Sequence, residues 1–131
     1  MVSNYLVGKP VVISMKLIAA EQYLQTGRLS HALHSFTYVE DELTAHPERG
    51  PQDPVLLRAM LQTAQYGVAA SLLLMRRIDE AKRAADRALA DSFAPMEDDA
   101  PDRRRHFLTV LSVAKTREDY ARAWALQLGE L

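Results

Sequence analysis

The sequence predicts an all-α domain of three antiparallel helix pairs, and three observations predict it. Apolar residues recur at i, i+3, i+4 and i+7 spacing through most of the chain. No stretch alternates apolar and polar residues as a half-buried strand would. Two loops rich in proline and acidic residues, "HPERGPQDP" (46–54) and "APMEDDAPD" (94–102), divide the periodic runs into pairs. A chain of 131 residues is about one domain, and 48% hydrophobic with 25% charged residues excludes a disordered one. The pairs cover about 10–45, 55–92 and 101–128 of a single domain, 1–131.

Pro10 suits the opening turn of the first helix. From there Ile13, Leu17, Ala20 and Leu24 recur on one side, with Val12, Ile18 and Tyr23 adding a second apolar side. A helix apolar on more than one side is usually packed on more than one side. Gly27 caps its end. The second helix runs from about Arg28 to Ala45 on the stripe Leu29, Ala32, Leu33, Phe36, Val39 and Leu43. After the first loop a long helix covers roughly Val55 to Arg77, seamed by Leu57, Met60, Leu61, Ala64, Val68, Leu72 and Met75. Gly67 inside it costs up to about 1 kcal/mol against alanine and implies a close helix approach or a bend.

The fourth helix, about 76–93, puts Ile78, Ala81, Ala85, Ala88 and Leu89 on one side. Its other side carries Glu80, Lys82, Arg83, Asp86 and Arg87, a solvated face by default. In the second loop Asp99 or Asp102 can cap the following helix. The last two helices are expected at about 101–115, through Phe107, Leu108, Val110, Leu111 and Ala114, and about 118–128, through Tyr120, Ala123, Trp124 and Leu126.

Helices joined by a turn as short as that at Gly27 pack antiparallel and approach closely only at small side chains. Ala20, Tyr23, Gly27, Ala32 and Phe36 fit that requirement, with Val39 following. The pattern resembles the tetratricopeptide repeat, whose core spaces small, aromatic and glycine residues in this way. A second copy stands 49 residues on, at Ala69, Leu72, Arg76, Ala81, Ala85 and Ala88, with arginine at the glycine position. A weaker third runs through Phe107, Leu111, Ala114, Glu118, Ala123 and Leu128. Standard repeats recur about every 34 residues, so the resemblance implies an irregular TPR-like right-handed superhelix.

The same resemblance implies a protein-binding groove lined by the first helix of each pair. The family's pattern assigns Leu17, Glu21 and Leu24, then Thr63, Tyr66, Ala70 and Leu73, then Leu108, Ser112 and Lys115. Such a groove is strongly apolar and calls for a cover, expected to be an amphipathic helix or apolar segment of a partner protein. Competing occupants are the chain's own "SNYLVGK" (3–9) and a second copy. The function implied is an adaptor or a chaperone-like holder similar to the small repeat chaperones of bacterial secretion. The alternative is an oligomerisation or regulatory domain, since Trp124, Leu126 and Leu128 make the last helix apolar where repeat arrays end in a polar cap. That second interface would support a homodimer.

A catalytic role finds little support. His31 and His34 lie i, i+3, but no cysteine exists and Glu40 and Asp41 stand two turns away, so no metal site and no cofactor are expected. No phosphate-binding glycine loop or Ser/His/Asp order occurs, and the chain reads as a non-enzyme. Arg103, Arg104 and Arg105 form a candidate anion patch, because arginines at the positive end of a helix are not placed for helix stability. The net charge of −1 removes the general electrostatic case for nucleic acid. "YGVAASLLLM" (66–75) is too short to span a bilayer. The chain is expected to be cytoplasmic.

Overall fold

The periodic runs become six α-helices among the described residues, which in this computed structural model are 2–95 and 102–127, with side chains from residue 11 onward. They are α1 (Val2–Gln25), α2 (Leu29–Ala45), α3 (Pro54–Leu74), α4 (Ile78–Ala90), α5 (Arg103–Ser112) and α6 (Arg117–Gln127). One short 3-10 turn, Pro47–Arg49, sits in the first loop. Each helix packs against the next, and α3 also touches α1, α5 and α6, so it is the hub of the domain. That explains why every residue from Gly67 to Leu73 is buried, well beyond one stripe. A helix surrounded by neighbours must be apolar or small all round.

The end of α1 shows why Gly27 is needed. Its φ of +77° lets the Arg28 N–H reach Tyr23 O at 2.8 Å and its own N–H reach Leu24 O at 3.3 Å. This pair of bonds satisfies carbonyls that a helix end leaves unpaired. The end of α3 is built in the same way 49 residues later. There Arg77 donates to Leu72 O and Arg76 to Leu73 O, both at 2.9 Å, and Arg76 takes φ +63°. The third turn differs. Thr116 and Asp119 cap α6 reciprocally, Asp119 N–H donating to Thr116 Oγ1 while Asp119 Oδ2 accepts from Thr116 N–H. Glu118, expected at the turn position, therefore lies in the first turn of α6.

Several boundaries move for local reasons. Helix α1 begins at Val2, so Pro10, expected as its start, lies inside it; a favoured first-turn residue does not forbid helical backbone before it. Helix α4 starts at Ile78 because Arg76 and Arg77 are spent on the turn. Helix α5 stops at Ser112, where Lys82 Nζ donates to Ala114 O at 2.6 Å and binds the connection to α4. Asp102 is the cap of α5, accepting from Arg104 N–H at 2.8 Å, while Asp99 lies outside the described residues.

The polar side of α4 is not simply solvated. Arg87 makes a two-pronged pair with Glu40 of α2, both bonds 3.0 Å, and Asp86 accepts from the Ser112 hydroxyl. Phe93, just beyond α4, is fully buried. Its loop is held by Arg58 Nε and Gln62 Nε2 donating to Ser92 O, each at 2.9 Å, and by Gln65 Nε2 donating to Asp91 Oδ2 at 2.9 Å. Of the second apolar side of α1, Tyr23 packs against the core while Val12 and Ile18 do not. Val11, Val12, Met15 and Ile18 are exposed, across the helix from Ile13, Leu17 and Ala20. No helix among the described residues is long and apolar enough to cross a membrane.

Candidate functional site

Helices α1, α3 and α5 converge on a cleft of about 360 Å³. Helix α1 contributes Glu21, Leu24 and Gln25, which share one face at i, i+3 and i+4. Helix α3 contributes Thr63, Tyr66 and Leu74, α5 contributes Arg104, and Gln127 closes one end from α6. The Phe36 ring of α2 reaches the floor.

Tyr66 and Arg104 organise the cleft. The guanidinium stands 4.9 Å from the Tyr66 ring centroid, and its Nη1 donates to Thr63 Oγ1 at 2.9 Å. The other side of the picture is apolar: Tyr66 meets Phe107 edge-on, with centroids 5.4 Å apart and planes at 72°. The phenol donates to Gln127 Oε1. Burial raises the Tyr66 pKa above the ordinary tyrosine value, against the opposing pull of Arg104, the Gln127 bond and Arg103. The phenol is therefore a neutral donor near pH 7. Arg104 pairs with no carboxylate among the described residues. A guanidinium, a neutral phenol, two amides and one carboxylate over an apolar floor can hold a polar segment; nothing there pairs a nucleophile with a base.

Of the groove residues expected from sequence, Glu21, Leu24, Thr63 and Tyr66 meet in this cleft. Leu17, Ala70, Leu73 and Leu108 do not line it. They are buried in the core, because α3 is packed on all sides and leaves no strongly apolar wall open. Ser112 turns toward Asp86 of α4, and Lys115 is exposed in the α5–α6 connection. The arginine run does not form one patch. Successive helical residues point about 100° apart, so Arg103 is exposed, Arg104 enters the cleft, and Arg105 Nε donates to Phe93 O at 3.1 Å. Gln25, Leu74 and Gln127 were missed. Gln25 was legible as the i+4 neighbour of Glu21, whereas Gln127 depends on where α6 ends.

Trp124 and Leu126 lean on the core and remain half-buried; Leu128 lies outside the described residues. His31 is exposed beside the Tyr23 ring, 5.2 Å between centroids. No group of three or more potential ligands that could hold a metal occurs among the described residues. Further clefts occur among the described residues. One, of about 390 Å³, lies around the Glu40–Arg87 pair, and another, of about 420 Å³, lies between the α3–α4 turn and α6. Comparison with known proteins returns no matching family model, no matching curated protein and no matching solved structure.

Proposed function

We propose that this chain is a non-catalytic protein-interaction module, an adaptor or chaperone-like holder, whose α1–α3–α5 cleft receives a segment of a partner protein. The observation that carries this reading is Arg104, a half-buried guanidinium with no carboxylate partner among the described residues, stacked over Tyr66 in a cleft lined by the first helix of each pair. The segment it suits is an amphipathic helix or strand with one apolar side chain for Leu24 and Leu74 and polar groups for Arg104 and Gln127. The matching turns at Gly27 and Arg76 support a TPR-like ancestry, with the three pairs stacked as an irregular right-handed superhelix. The cysteine-free composition suits action in the cytoplasm.

Affinity capture from the native cell, run in parallel with Arg104→Glu, tests the reading. Proteins retained by the wild type and lost by the variant support it. An identical set from both, or none from either, overturns it.

A second reading is an oligomerisation domain. The bare stripe Val11, Met15 and Ile18 on α1 favours it, together with the half-buried Trp124 and Leu126. Light scattering of the purified chain decides between them: a tight homodimer lost in Met15→Glu would support self-association, and a monomer would retire it.

A further inference from the structure

Arg76 holds a place where the chain elsewhere uses glycine. The turns after α1 and α3 share both hydrogen bonds and a left-handed φ, +77° at Gly27 and +63° at Arg76. A Cβ makes that conformation unfavourable, and Arg76 is the one non-glycine residue among the described residues that adopts it. At Gly27 a Cβ would meet nothing within 4 Å, so glycine is there for its backbone alone. The arginine keeps the strained backbone and adds a side chain. Strain of this kind persists where the side chain has a task.

The Arg76 guanidinium lies 5.7 Å from the Trp124 ring centroid, at the rim of the cleft of about 420 Å³. Leu73, Ile78, Tyr120 and Trp124 give that cleft its apolar walls, and Arg117 stands on its rim as well. Arg117 is also placed against local preference, since it opens α6 at the positive end of the helix dipole. Among the described residues no acid lines the cleft and neither arginine makes an ion pair. Their neighbour Arg77 does, with Glu80 at 2.5 Å. Two cations held at local cost around an oily pocket suit a ligand that brings its own negative charge beside an apolar group.

We propose that this cleft docks an acidic segment of a partner protein, with a bulky apolar side chain seated against Trp124 and adjacent carboxylates on Arg76 and Arg117. Charge argues against a second copy as the occupant. A two-fold dimer centred on this patch would set the arginines of one chain against the same arginines of the other. The site is separate from the Tyr66 cleft and stands whether or not that cleft is occupied.

The test is selection of a displayed random-peptide library on the whole purified chain, followed by affinity measurement with the most enriched peptide made synthetically. Enriched peptides are expected to place aspartate or glutamate beside leucine, phenylalanine or tryptophan. Their affinity should fall about tenfold or more in Arg117→Glu and in Arg76→Gly. Arg76→Gly should match or exceed the wild-type melting temperature, because glycine relieves the backbone. Glutamate at 117 suits the first turn of a helix, so that variant keeps its fold. No enrichment, enrichment without acids, or affinities unmoved by Arg117→Glu would overturn the proposal. So would a wild-type homodimer that Arg117→Glu dissociates, which would give the cleft to a second copy.

Discussion

The ring of Phe36 rests directly on the backbone of Gly67: a Cβ on that glycine would stand 2.4 Å from Phe36 Cδ1 and Cε1. Helices α2 and α3 cross there with nothing between ring and main chain. Gly67→Ala gains about 1 kcal/mol of helix propensity, but it must displace a ring packed in the core, since Phe36 is 1% exposed. Overpacking of this kind costs roughly 1–3 kcal/mol. The expected outcome is a net loss of stability in urea titration, smaller when Phe36→Leu is present than the two single losses added together.

The Glu40–Arg87 pair joins α2 to α4 with unequal partners. The Glu40 side chain is 7% exposed and that of Arg87 is 50% exposed. The Glu40 bonds raise the Arg87 pKa above its ordinary value, partly offset by burial. Because Arg87 is half in water, the pair is worth less than a fully buried one. Arg87→Ala should cost about 1–2 kcal/mol, mostly through the carboxylate left without its partner. Glu40→Gln added to Arg87→Ala should recover part of that loss, because a neutral amide is easier to bury. Chemical denaturation of the two variants checks both signs.

Tyr66 makes the fold sensitive to alkali. Its folded pKa is raised, chiefly by burial, so the unfolded chain ionises first as pH climbs. Stability from this group is whole below the ordinary tyrosine value of about 10 and is lost as pH rises through the higher folded value. Tyr66→Phe should flatten this alkaline loss. In Arg104→Met, spectrophotometric titration should show Tyr66 ionising at still higher pH, because the nearby cation that favours the phenolate is gone. An unchanged titration would separate Arg104 from the ring in solution.

Ser71 carries a hydroxyl that is buried in α3 and makes no hydrogen bond among the described residues. An unpaired buried hydroxyl costs roughly 1–3 kcal/mol, and alanine suits a helix interior better than serine. Ser71→Ala should therefore raise the melting temperature.

Apart from the start of α1, which lies at Val2 rather than at Pro10, helix positions were readable to within a few residues wherever local chemistry sets them. Gly27, the loop 46–54 and the cap at Asp102 act over a handful of bonds and lie where the residue types place them. The long-range ties were not readable. Arg58, Gln62 and Gln65 stand outside the apolar seam of the third helix, yet they hold the loop that carries Phe93 into the core. The three arginines read as one patch, and helical rotation sends them to different neighbours. Glu21, Leu24, Thr63 and Tyr66 of the cleft were legible, since groove residues share helix faces; Arg104 lies on a groove helix too, but its place beside Tyr66 depends on how α5 is turned against α3.

The order of residues alone determined that the chain coils into helices, roughly where each begins and ends, and where two of the turns reverse it. Those outcomes follow from side-chain spacing and backbone freedom within a few positions. Only the packed domain decided that α3 would become the hub, burying Ala70 and Leu108 in the core while leaving Tyr66 and Trp124 at open clefts. That choice depends on which helices crowd together and which do not, a relation between residues far apart along the chain that no local pattern carries.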